Sequence, residues 1–140
     1  MKIDICDEIK TARDCGVTHC HIIEVEPMPL TELVPRFGLV FTPDAYREIS
    51  KAQAETVAKR VLHRDLAYDA EIMTEPEAQA LANRFFDCFD EENAQYYTNG
   101  DYYSDGSNHS WTPATDATFD TGILVIGKSR TGCLWVEDED

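Results

Sequence analysis

Two apolar runs near the C-terminus constrain the fold most. Ile123-Leu124-Val125-Ile126 and Cys133-Leu134-Trp135-Val136 flank the polar stretch Gly127-Lys128-Ser129-Arg130-Thr131-Gly132. Branched and aromatic residues on both sides of a short, glycine-bounded turn predict a β-hairpin, with the turn glycines free to take positive φ. A hairpin here also disposes of a motif. Gly122–Ser129 matches the phosphate-loop pattern G-x-x-x-x-G-K-[ST] letter for letter. That loop works by curling backbone N–H groups around phosphates at the start of a helix. Ile-Leu-Val-Ile is an extended tetrapeptide, and beyond Ser129 the chain has only a strand and the acidic tail "EDED", expected to end in solvent. Nucleotide binding through this match is not expected.

Upstream, helical signals dominate. Ile5, Ile9 and Ala12 fall at helical spacing over 3–14, and Gly16 is a natural stop. "VTHCHIIEVEP" (17–27) alternates as a strand, with His19 and His21 on one face and Cys20 on the other. A short helical turn and then a strand at 37–41 are expected next. Thr42 and Pro43 look like the N-cap and first position of a helix running to about Ala70, with a break near Ser50. "TEPEAQALANRFFDCFDEEN" opens on a capping box, Thr74 to Glu77, and is the clearest helix of the chain. Helices followed by strands give an α+β fold. We expect a single domain over 1–140, with an antiparallel sheet ending in the C-terminal hairpin and packed against about three helices.

Charge separates the chain into halves. Residues 1–64 carry ten acids and nine bases, whereas 65–140 carry seventeen acids and only Arg84, Lys128 and Arg130 as bases, so nearly all of the net −15 lies in the second half. Such an excess speaks about partners rather than fold. It disfavours nucleic acid as a direct ligand, because phosphates are bound by Lys and Arg. The five cysteines are odd in number and irregularly spaced, and the acidic N-terminus lacks the apolar core of a signal peptide. A cytoplasmic protein with reduced thiols is expected, without a membrane segment.

Metal and catalytic readings are weak. Cys15, His19, Cys20 and His21 cannot all converge from an alternating strand, so no metal or other cofactor is expected. Asp101, Asp105 and Gly106 faintly resemble a calcium loop, but Tyr103 and Thr112 occupy essential ligand positions. Cys133 sits in an apolar strand, where a thiol is inert.

The stretch from about 93 to 118 is different. "QYYTNGDYYSDGSNHSW" holds four of the six tyrosines and one of the two tryptophans. Tyr and Trp offer rigid contact area while Ser, Gly and Asn adapt their hydrogen bonds, so the composition suits a recognition loop. Tyr97, Tyr102, Tyr103 and Trp111 are the expected anchors, with His109 among them. Asp90, Glu91, Glu92, Asp101 and Asp105 are expected to steer and pair with Arg or Lys.

The expected function is therefore that of a small acidic, non-enzymatic inhibitor or immunity-like protein, of the kind that mimics nucleic acid in phage anti-defence. Its partner would be a protein with a basic surface, a nuclease or another nucleic-acid-binding protein; a homodimer is left open. Two other readings stand beside it. One is a binder of a nucleotide-like or sugar-like small molecule held between tyrosines and read by His109, Lys128 or Arg130. The other is a hydrolase or transferase using His109 or His63 with an Asp.

Overall fold

The computed structural model describes residues 4–89, 91–106 and 108–139; nothing is described of the Glu91 side chain. Four α-helices and five strands succeed one another in the order α1 (Ile5–Ala12), β1 (Val17–Ile23), α2 (Leu30–Leu33), β2 (Arg47–Ile49), α3 (Lys51–His63), α4 (Glu75–Phe86), β3 (Gln95–Thr98), β4 (Phe119–Ile126) and β5 (Thr131–Asp138). The strands form one antiparallel sheet in the order β1-β5-β4-β3-β2. The fold is α+β, and β4 and β5 form the expected hairpin, Ile126 facing Thr131 across residues 127–130.

Alternation along the strands sends side chains to two separate cores. Ile123, Val125, Leu134, Val136, Cys20 and Tyr96 meet α1, α3 and α4 through Ile9, Val57, Leu62 and Phe85. Leu124, Ile126, Cys133 and Trp135 meet a thinner layer built from Leu33, Val34, Phe37 and Leu39. Covered on both faces, the central strands read as continuous apolar runs, which is why Ile123–Ile126 carries no polar residue.

The glycines of the phosphate-loop match are explained by close packing. A Cβ on Gly122 would collide with the β5 backbone at Leu134 and one on Gly127 with the Arg130 carbonyl; beyond the match, one on Gly132 would meet the rings of Phe89 and Phe85. Neither Gly127 nor Gly132 has positive φ, contrary to the expected turn chemistry. Gly127 instead donates its N–H to the Arg130 carbonyl, 2.8 Å away, closing the hairpin turn.

The segment before α3 also differs from expectation. No helix starts at Thr42. Residues 42–45 turn, Asp44 takes φ 65°, and Arg47–Ile49 becomes the edge strand β2 beside β3. Helix α3 starts after Ser50, whose hydroxyl accepts from Gln53 N while the Gln53 side chain accepts from Ser50 N. This second capping box outcompetes the Thr42-Pro43 signal because it leads directly into a buried stripe of Ala54, Val57, Ala58 and Val61. The helix ends at His63, not near Ala70, and β1 stops at Ile23. Val34–Phe37 forms a 3-10 turn capped by Gly38 at φ 80°, and no strand forms at 38–41.

The acidic tail is not a solvent tail. Glu137 meets His19, Glu139 accepts from Thr118, and Asp138 is buried. Asp138 forms a bidentate pair with Arg13, at 2.7 and 3.1 Å, and accepts the Leu66 N–H at 2.8 Å. Arg13 in turn donates to the carbonyls of Val61 and Cys15. One buried ion pair thus joins the ends of α1, α3 and β5. Among the described residues no helix is long and apolar enough to cross a membrane.

Candidate functional site

Strand directions place the connections at two opposite ends of the sheet. At the hairpin end lie the 127–130 turn, the start of α3 and the residues before β3. At the loop end lie the start of β1, the close of β5, the α3–α4 connection and the described residues of the 99–118 loop. Eight residues of β4 separate the two ends by about 23 Å.

The 99–118 loop is pinned by a second buried carboxylate. Asp120 accepts from Asn99 Nδ2, Ala114 N, Thr115 N, Thr115 Oγ1 and Trp135 Nε1, all within 3.0–3.3 Å. Asn99 also donates to the Thr112 carbonyl and accepts from Thr121 Oγ1. A bridge between Gly100 and Trp111 then folds the loop back on itself. Polar residues that look like surface material in the sequence are thus the loop's internal anchors.

Within the fold-back, Asp101 accepts from the N–H and hydroxyl of Ser110, and His109 Nδ1 stands 3.3 Å from the Asp101 carboxylate. That last contact is one of proximity, without the alignment of a hydrogen bond. Desolvation pushes the Asp101 carboxyl up, but the two Ser110 donors and the nearby His109 ring outweigh it and hold it below the usual range. The His109 ring stacks on Tyr102 at 4.5 Å between centroids, Tyr102 leans on Trp111, and Trp111 on Phe119. Tyr102 is buried, which pushes its phenol up to about 12.

Across from these rings stands the α3–α4 connection. Together they enclose a cavity of about 450 Å³ bordered by Arg60, Tyr68, Asp69, Tyr102, His109 and Trp111. A second cleft beside it is bordered by Lys59, His63, Glu75 and Asp105. Arg60 pairs with Asp69 at 3.0 Å, and Arg64 donates to the Asp69 carbonyl. His63 Nδ1 is 2.8 Å from the Met73 carbonyl, which fixes that ring as a structural donor.

The residues singled out in the sequence fall into two groups. Asp101, Tyr102, Tyr103, Asp105, His109 and Trp111 gather at the loop end; Tyr103 and Trp111 are half-buried and Asp105 is exposed. Glu92 is exposed near the hairpin end, and Glu91 opens the same 3-10 turn. Tyr97 lies within β3, half-buried on the face of the second core. Asp90 lies outside the described residues. The stretch therefore does not form one continuous surface: β3 takes 95–98 into the sheet. Tyr102 packs as a core ring, while the ring most offered to solvent is Tyr68, 67% exposed and part of no sequence motif. Arg60, Tyr68, Asp69 and Phe119 are the site residues that sequence reasoning missed. They come from separate elements, and no local signal brings them together.

The chemistry of the other candidates is now plain. Cys20 is buried against Cys6, and the hydrogen bond between the two thiols pulls Cys6 down and, with burial, pushes Cys20 up; burial pushes Cys133 up. His19 is taken by Glu137, and His21 stacks on Phe37. Among the described residues no group of three or more His, Cys, Asp or Glu is arranged to hold a metal ion.

Acids also accumulate at the loop end. Asp14, Asp69, Glu71, Asp105, Asp116 and Glu139 are exposed there, beside half-buried Asp65. Of the cations nearby, Arg13 is buried against Asp138, while Arg60 and Arg64 are engaged by Asp69; Arg47 stands exposed on β2. At the hairpin end, by contrast, Lys128 and Arg130 are exposed among Glu24, Glu26 and Asp87. Comparison of the chain with family models, with curated proteins and with solved structures gave no match.

Proposed function

We propose that the protein is a non-enzymatic inhibitor or immunity-like binder that docks its loop end on a basic protein surface, such as the groove of a nuclease or another nucleic-acid-binding protein. The observation that supports the reading is the surplus of exposed carboxylates at that end, where the local arginines are largely held by internal pairs. Asp105 and Asp116 have no hydrogen-bond or ion-pair partner among the described residues. Carboxylates so placed attract cationic partners over a Debye length and stand where phosphates would otherwise bind. Half-buried Tyr103 and Trp111, with exposed Tyr68, supply contact area beside the charge.

The test is capture from a host lysate at low salt, with identification of the proteins that elute as salt rises. Replacing Asp14, Asp105 and Asp116 together by Lys is expected to weaken the recovered complex at least tenfold and to flatten its salt dependence. Replacing Glu26 and Asp87 by Lys changes it little. A complex that survives about 0.5 M salt, or one equally sensitive at both ends, removes the proposal.

A further inference from the structure

The cavity at the loop end has a chemistry of its own, separate from the charged rim. We infer that it is a binding site for a flat, uncharged heteroaromatic molecule of nucleobase or nucleoside size. Three features carry this. Size is the first: about 450 Å³ lies within the range of small-molecule pockets. The second is the wall, where Tyr68, Tyr102, Trp111 and Phe119 supply aromatic surface for a planar guest.

The third is a set of unmet polar atoms on two residues. The His109 side chain is only 5% exposed, and both its ring nitrogens, Nδ1 and Nε2, are buried without a hydrogen-bond partner, which with Arg60 makes three such atoms. Arg60 Nε is likewise buried and unpartnered, although its Nη2 pairs with Asp69. Both residues border the same cavity. Buried polar groups in folded proteins are almost always satisfied, so orphans from two residues on one cavity mark a place where a ligand completes the set.

Their types define that ligand further. Arg60 Nε only donates. A ring nitrogen of His109 can donate or accept. The guest therefore presents an acceptor to Arg60 and a polar edge atom to His109, as a nucleobase does. The carboxylate of Asp69 on the wall and that of Asp101 behind His109 disfavour a phosphate or carboxylate group. This selects the nucleoside over the nucleotide.

The experiment titrates the full chain with adenosine and with guanosine, and with adenosine monophosphate as the charged control. Thermal shift and tryptophan emission are the readouts. Trp111 borders the cavity, whereas Trp135 is fully buried in the other core, so quenching reports the site. At least one purine nucleoside at about 1 mM is expected to raise Tm by several degrees and quench emission. Arg60→Gln and His109→Gln are each expected to weaken binding at least tenfold. If His109→Gln does not fold, the imidazole NMR signals of the unsubstituted protein take its place: saturating nucleoside moves those of His109 and leaves those of His21 unmoved. Absence of any response to both nucleosides overturns the inference, as does tighter binding of the monophosphate or an unmoved His109. Loss of the salt-sensitive partner would leave the site untouched, and the reverse holds equally.

Discussion

The two ends of the sheet are built on different principles. The hairpin end is closed by apolar contact: Gly132 brings β5 against Phe85 and Phe89, the turn is four residues long, and Lys128, Ser129 and Arg130 in it are exposed. The loop end is closed by buried charge. Asp138 with Arg13 locks three elements, and Asp120 with its five donors locks the 99–118 loop. The difference teaches that a long polar loop is held in place by whatever replaces its water. Two carboxylates take that role here, and the aromatic rings above them border a cleft at the margin of the first core.

The comparison breaks first at the ion pair. Arg13→Met leaves Asp138 buried without its cation and should lower unfolding free energy by about 3–5 kcal/mol, read from denaturant melts. Asp120→Ala comes next. It orphans the Ala114 and Trp135 N–H groups and should cost about 3 kcal/mol, with faster amide exchange confined to 99–118. If the exchange instead rises evenly across the sheet, the carboxylate is a core group and not a loop anchor.

At the opposite end Gly132→Ala forces a methyl against Phe89 and Phe85 and should cost about 1–3 kcal/mol, without disturbing exchange in 99–118. The smallest effect sharpens the contrast by pH. The Tyr102 phenol is raised in the fold to about 12 by burial, from 10 in the open chain. Its stabilisation is complete below pH 10 and is lost as pH rises towards 12. Tyr102→Phe should be near neutral at about pH 7 and should flatten the alkaline fall in Tm. An unchanged alkaline limb would assign that fall to another group, such as Tyr46, whose burial also pushes it up.

Legibility in the sequence divides along the same line. The hairpin was legible because apolar β-runs and a short turn are local signals, and α4 because Thr74 and Glu77 announce its start. Ser50 and Gln53 carry an equally physical signal, but Thr42-Pro43 stood in front of it. The loop end was opaque for a deeper reason. Asp120 and Asp138 count as two of the acids that make the second half look like open surface, and only three-dimensional proximity to Trp135 and Arg13 turns them into interior groups. Tyr102 and His109 are separated along the chain and meet only because Gly100 pairs with Trp111. Arg60 and Tyr68 reach the same cavity from another element altogether, with no periodicity to signal it.

The pairing of β1 with β5 sets the order in which the chain can mature. Val17 finds its neighbour at Glu137, and Ile23 at Thr131. During synthesis β1 has no mate until β5 emerges more than a hundred residues later, and Cys20 and Ile22 lack their sheet partners Leu134 and Gly132 until then. Contacts this distant in sequence slow folding, and a ribosome that stalls or terminates before residue 131 would release a fragment with an open edge and no lock on α1.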